Sequence, residues 1–82
     1  MNREWVLYHL REAHQELART ITGIDSDPEY DVEEFGVALA HVYHHVNTAW
    51  NSRDQPGARV RQCTDDDFSQ WRQFPSDVFL CP

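Results

Sequence analysis

The chain has 82 residues and a formal net charge of −7, with 14 acidic side chains and seven arginines as its only strong bases. One domain of this length buries roughly 60 to 65% of its unfolded surface, so its stability is small unless it oligomerises. Three Trp, three Tyr and four Phe argue against a disordered chain. The negative charge disfavours nucleic acid or an anionic membrane as a partner, because both need a basic face.

The first predicted element is a helix over residues 3–22. Asn2 is placed to cap its start, and Gly23 is placed to end it by entering the left-handed conformation. His14 falls within the apolar stripe of this helix, where we expect a buried, neutral imidazole whose protonation destabilises the fold. The stripe has helical spacing and consists of Val6, Leu10, Ala13, Leu17, Ile21 and Ile24.

The second predicted element is a helix over residues 29–52. Its start has two interpretations: Asp27 caps a first turn opened by Pro28, or Asp31 caps a later start with Glu34 reaching back. A short connector between two long helices predicts an antiparallel hairpin. The apolar stripe of this helix consists of Val32, Phe35, Leu39, Val42, Val46 and Ala49.

After the second helix, the sequence predicts a loop, a short helix and an apolar tail. Residues 54–62 break the helical pattern and predict a loop, after which Thr64 caps a short third helix over residues 65–73. The apolar end at residues 78–80 is expected to dock across the hairpin. The predicted fold is all-α: an antiparallel two-helix hairpin, a short third helix and a docked C-terminal tail, dimerising into a four-helix bundle.

His41 and His45 stand four residues apart on the second helix and are the candidate metal ligands. A zinc site needs further donors, and H-x-x-x-H without the glutamate of H-E-x-x-H is a weak signal. The alternative, which we favour, is structural: the imidazoles bind a carboxylate or carbonyl, or lie in a dimer interface. The candidate third ligands are His9, Glu12, His14, Glu16 and Glu34.

Small or mildly polar residues form a second side of this helix, where a solvated hairpin should carry charges. We expect this side to be covered, either by the tail with Trp71, Phe79 and Leu80 or by a second hairpin. The residues of this side are Val37, Ala40, His44, Thr48 and Asn51.

The end of the second helix combines Trp50, Asn51, Arg53 and Asp54. These residues frame a small-ligand or peptide site in one interpretation. In the interpretation that we favour, Trp50 plugs the open end of the hairpin, Asn51 caps the last carbonyls and Arg53 pairs with Asp54.

Charge is distributed unevenly along the hairpin. Residues 25–34 contain six acidic side chains and no basic one, whereas Arg53, Arg59 and Arg61 lie near the other end. An antiparallel dimer would bring each acidic turn near the basic loop of the other copy, although exposed ion pairs contribute little.

Neither a phosphate-binding glycine loop nor a nucleophile motif is visible. With no apolar run as long as a secretion signal or a membrane span, we expect a cytoplasmic protein in which Cys63 and Cys81 are free thiols. The leading hypothesis is a non-catalytic, cofactor-free, homodimeric interaction or regulatory module, with an unidentified protein as a further partner. The alternative hypothesis is a metal-binding helical protein that holds zinc or another divalent ion with His41 and His45. A hydrolase is one activity that such a site would allow.

Overall fold

The computed structural model describes residues 1–77, and this part of the chain is all-helical, without a strand. The two long helices pack against each other, and the last helix packs on the second. The predicted fold class and long helix pair are therefore confirmed. The predicted docking of Val78, Phe79 and Leu80, and the state of Cys81, lie outside the described residues. The helices are α1 (Arg3–Ser26), α2 (Val32–Asn51), α3 (Gly57–Arg61) and α4 (Asp65–Trp71).

Helix α1 begins where predicted but ends four residues later, at Ser26 instead of residue 22. The Asn2 side chain accepts a hydrogen bond from the Trp5 backbone N–H at 3.1 Å and so caps the start. Gly23 lies inside the helix, and its φ is not positive. A Cβ at Gly23 would lie 3.0 Å from two ring carbons of Tyr30. The prediction that Gly23 ends the helix is wrong, and its missing side chain instead lets Tyr30 pack against α1.

Helix α2 begins at Val32, three residues after the predicted start. Of the two predicted caps, Asp31 is the one used, since its carboxylate accepts from the Glu34 backbone N–H at 2.9 Å. The helix ends at Asn51, within one residue of the prediction.

The segment predicted as a loop contains the short helix α3. Arg59 joins α3 to α4, because the Arg59 guanidinium donates two hydrogen bonds to the Asp67 carboxylate. Thr64 and Asp67 form a reciprocal capping box at the start of α4, so the predicted cap is confirmed, although α4 ends at Trp71 and not at residue 73. Arg59 and Thr64 hold the pKa of Asp67 well below its ordinary value.

The start of α1 closes the open end of the hairpin. The Asn2 backbone N–H donates to the Arg53 carbonyl at 2.6 Å, and the Asn2 side chain donates to the Gln55 carbonyl at 2.9 Å. Beside them, the Trp5 indole N–H donates to the Ser52 hydroxyl at 2.7 Å. Ser52 is 1% exposed, so this end of the hairpin is sealed by a buried polar contact.

The seam between α1 and α2 is built mainly from small and polar side chains. Of the residues in the two predicted apolar stripes, only Ala13, Val42 and Ala49 are buried. Most of each stripe therefore lies to one side of the seam. Across the described residues, the buried apolar side chains are Ala13, Ala38, Val42, Ala49 and Trp71, and the buried polar ones are His9, Thr20, Asn47, Thr48, Ser52 and Asp67.

None of the described helices combines the length and apolar character that crossing a bilayer demands.

Candidate functional site

The large apolar side chains of both long helices lie exposed on one side of the hairpin. Leu10 of α1 and Tyr43 and Val46 of α2 line the same groove, so the two stripes face the same way. We call this surface the apolar face. Its residues, with their exposed fractions, are Leu10 (44%), Leu17 (41%), Ile21 (65%), Ile24 (52%), Phe35 (38%), Tyr43 (51%) and Val46 (43%).

The apolar face is concave at the end of the hairpin away from the turn. A groove of about 510 Å³ runs there between α1 and α2, and Phe74 and Pro75 form part of its wall. The Tyr43 and Phe74 rings meet edge to face, with centroids 6.4 Å apart. The exposed wall of the groove is apolar, so it suits an apolar occupant. We call it the groove and define it by Leu10, Tyr43, Val46, Trp50 and Phe74.

Three imidazoles meet in and beside the seam and form the histidine cluster: His9, His44 and His45. His9 is 4% exposed, and its Nδ1 lies 2.9 Å from Nδ1 of His45. The ring of His44 lies 4.8 Å from that of His45 and 6.1 Å from that of His9, centroid to centroid. Trp5 packs edge to face on His9, with centroids 4.3 Å apart. The cluster is therefore enclosed by aromatic rings.

The contact between His9 and His45 restricts their protonation. Two nitrogens at this distance form a hydrogen bond only when one carries the proton and the other accepts it. Nε2 of His9 is buried and has no hydrogen-bond partner among residues 1–77. A buried N–H without a partner is costly, so the arrangement favours His9 as the donor through Nδ1, with its Nε2 unprotonated.

Burial and the neighbouring imidazoles keep the cluster neutral. Burial, followed by the proximity of His45 and His44, lowers the pKa of His9 from 6.5 to about 4. Burial also lowers the pKa of His44 and of His45, although the carboxylates of Glu12 and Glu16 oppose the shift at His45. The cluster is a neutral packing element at pH 7.

The predicted metal ligands are divided between the seam and the exposed surface, and the candidate third ligand His9 contacts His45 in the seam. His41, His14 and Glu34 are exposed, and His45 is half-buried against His9. Within residues 1–77, no group of three or more His, Cys, Asp or Glu side chains is arranged to hold a metal ion. A metal site at His41 and His45 stays a prediction.

The expectation that His14 is a buried core imidazole is wrong. His14 is exposed because the seam is rotated away from the large apolar stripe to which His14 belongs. The buried imidazole is His9, which shares the seam with Ala13 and Thr20. The signal for His9 was the helical spacing of these small and polar residues, which the stronger apolar stripe concealed.

The second side of α2 is covered in part by α4. The Asn51 side chain donates to the carbonyls of Trp71 and Gln73 at 2.8 and 2.7 Å, and Phe68 packs on His44 with ring centroids 4.8 Å apart. Thr48 is buried on the same side. Trp71 therefore covers this side as one alternative predicted, whereas the predicted contributions of Phe79 and Leu80 lie outside the described residues.

That cover extends only along the C-terminal half of α2. Val37 remains 64% exposed, and Ala40 is also exposed. This part of the second side is apolar but far smaller than the apolar face.

The end of α2 forms a local network of charges and rings. The Arg53 guanidinium lies 4.0 Å above the Trp50 ring and 3.7 Å from the Asp54 carboxylate, which confirms the predicted ion pair. The Trp50 indole N–H donates to Asp77 at 2.9 Å. The Asn51 side chain donates to the carbonyls of Trp71, the last residue of α4, and of Gln73. The interpretation that Asn51 caps the last carbonyls of its own helix is therefore wrong.

Comparison of the chain with protein-family models, with curated proteins and with solved structures finds no match. Its functional interpretation depends on the geometry described above: an apolar face on one side of the hairpin and a neutral histidine cluster in the seam.

Proposed function

We propose that this protein is a non-catalytic interaction module that works as a homodimer, in which two apolar faces pack together as a four-helix bundle. One observation carries the proposal: most of the large apolar side chains of the two stripes are exposed, whereas the seam is filled mainly by small and polar ones. A seam of alanines, one valine and polar groups removes little apolar surface from water. A second copy on the apolar face supplies the missing burial.

The size of the apolar face fits this role. Helix α2 has 20 residues, which corresponds to about 30 Å at 1.5 Å per residue, and two helices side by side are about 20 Å wide. The face therefore offers roughly 600 Å² per copy, or about 1,200 Å² in a dimer. That total lies at the lower limit of specific, stable interfaces and exceeds what most crystal contacts bury.

Charge favours a second copy in an antiparallel orientation. Residues 25–34, which form the turn end, carry six acidic side chains and no basic one. A parallel pair would place two such turns side by side, whereas an antiparallel pair separates them by the length of the hairpin. Arg53 and Arg59 already bind acidic side chains of their own copy, so the antiparallel orientation is favoured by the repulsion between acidic turns that it avoids. Direct pairing of each acidic turn with the basic loop stays a prediction.

The proposal is tested by sedimentation equilibrium of two valine variants. Val46→Glu places a charge on the apolar face, and Val37→Glu places the same charge on the other side of α2, where Val37 is the more exposed of the two. We expect Val37→Glu to sediment as a dimer and Val46→Glu as a folded monomer. Equal masses for the two variants, with far-ultraviolet circular dichroism unchanged in both, would show that the face is not the interface.

A further inference from the structure

The two ends of the apolar face differ. The groove forms a depression at the end away from the turn. The end near the turn carries three large exposed side chains, which we call the ridge: Ile21, Ile24 and Phe35, of which Ile21 is the most exposed at 65%. An apolar depression and a set of apolar side chains able to fill it form a self-complementary interface, provided that a two-fold axis exchanges them.

The spacing of the ridge and the groove is the same on both helices. Ile21 lies 11 residues after Leu10 on α1, and Val46 lies 11 residues after Phe35 on α2. Each separation corresponds to about 16 Å along the helix. Because α1 and α2 are antiparallel, both pairs run from the groove to the ridge in the same direction in space.

We infer that, in the dimer, the ridge of each copy fills the groove of the other, with Phe35 of the second copy seated beside Leu10, Tyr43 and Val46. This inference rests on the homodimer proposed above and specifies its orientation and register. A two-fold axis perpendicular to the helices, near Leu17, places both ridges in both grooves at once. The groove, at about 510 Å³, is in the size range that takes a small apolar ligand or a few large side chains.

Charge supports the same orientation independently of shape. The ridge adjoins the acidic turn, and the groove is bounded by Arg53, so the arrangement brings the acidic segment of one copy towards Arg53 of the other and keeps the two acidic segments apart. A parallel dimer would place the ridges against each other and leave both grooves open.

Disulfide cross-linking tests the register. In the full chain with Cys63→Ser and Cys81→Ser, two variants are prepared: Phe35→Cys and Val46→Cys. The two positions are about 16 Å apart within one helix, beyond the reach of a disulfide inside one copy. We expect a mixture of the two variants to form a covalent dimer on mild oxidation, and each variant alone to cross-link at least tenfold more slowly.

The outcomes separate this inference from the proposed function. In one outcome, sedimentation gives dimers and each variant cross-links with itself, while the mixture forms no additional covalent dimer. That result would establish a parallel pair and overturn the register. Dimers without cross-links at either position would place the interface elsewhere and leave the groove to another occupant, such as a small apolar ligand. A monomeric parent chain would overturn the proposed function itself. Phe68→Cys in the same background is the control for random collision, since Phe68 is 45% exposed on α4.

Discussion

His9 of α1 and His45 of α2 face each other across the hairpin seam with their Nδ1 atoms 2.9 Å apart. The contact needs one neutral imidazole to accept from the other, so a proton added to the acceptor nitrogen breaks it. Other titratable and charged groups around this pair are His44 and His41 on α2, Glu12 and Glu16 on α1, and Arg72 after α4.

Stability is predicted to fall as the pH is lowered from neutral. Burial lowers the pKa of His9 to about 4 from 6.5 in the unfolded chain, so the unfolded state binds more protons between these values. The free energy of unfolding that the neutral His9 side chain contributes is complete above pH 6.5 and is lost progressively towards pH 4. Urea unfolding at fixed protein concentration across this range measures the loss.

Two glutamine variants are the controls for this pH dependence. His9→Gln should lower stability at pH 7 and flatten the pH dependence, because the group that must charge on unfolding is gone. His14→Gln should retain the pH dependence of the parent chain, since His14 is exposed. An unchanged slope in His9→Gln would contradict the assignment of the buried imidazole.

Gly23 and Gly36 should respond oppositely to alanine. Gly36 lies in α2, and a Cβ there would meet no side chain of residues 1–77 beyond its two chain neighbours within 4 Å, so Gly36→Ala should stabilise the protein by about 0.5 to 1 kcal/mol through helix propensity. Gly23→Ala forces Tyr30 to move, because its Cβ would lie 3.0 Å from the Tyr30 ring, and the cost should cancel or exceed the same gain. Urea unfolding compares the two, and equal stabilisation would show that Tyr30 does not pack on Gly23.

Phe35→Ala should weaken the dimer much more than Tyr8→Ala does. Both variants remove an exposed aromatic ring from a long helix, but Phe35 lies on the apolar face and Tyr8 lies on another side of α1, 51% exposed. We expect about 2 kcal/mol for Phe35→Ala, or roughly a 30-fold rise in dissociation constant, because a large side chain seated in a pocket of the partner contributes much of an interface's energy. Dilution experiments by sedimentation give both constants. Comparable dissociation constants for the two variants would show that Phe35 does not lie in the interface.

The alternative hypothesis of a metal site is tested by the molar ratio of metal to protein, which elemental analysis measures. Protein purified without a histidine tag is expected to contain less than stoichiometric zinc, iron or manganese, since His41 lies exposed and His45 is bound to His9. One equivalent of metal in the parent chain that disappears in His41→Ala would establish the metal site. His14→Ala is the matched control, because His14 is an exposed histidine on the other helix.

The sequence predicted the hairpin because long helices have strong local signals. Apolar periodicity located α1 and α2, and the caps Asn2 and Thr64 located the starts of α1 and α4. For α2 the sequence offered Asp27 or Asp31, and the structure uses Asp31. The ends were less certain because they depend on contacts between distant residues. Gly23 had the local features of a helix end, but the packing of Tyr30 decided its role.

The seam was not predictable from the stripe alone. A helix with a large apolar stripe and a small-residue stripe beside it has two faces that can pack, and periodicity does not say which of them meets the neighbouring helix. Here the alanines at positions 13, 38 and 49 are buried in the hairpin, while Leu17 and Ile21 face outwards. This rotation placed His14 outside and brought His9 into contact with His45. The same rotation left the apolar face exposed.

The mass of the unmodified chain in solution shows directly whether two apolar faces pair. Sedimentation equilibrium at neutral pH, from low to high micromolar protein, should give twice the chain mass of 9.7 kDa at the upper concentrations, with reversible dissociation on dilution. A mass of one chain throughout that range, with the helices intact, would contradict the account, because the apolar face would then remain in water.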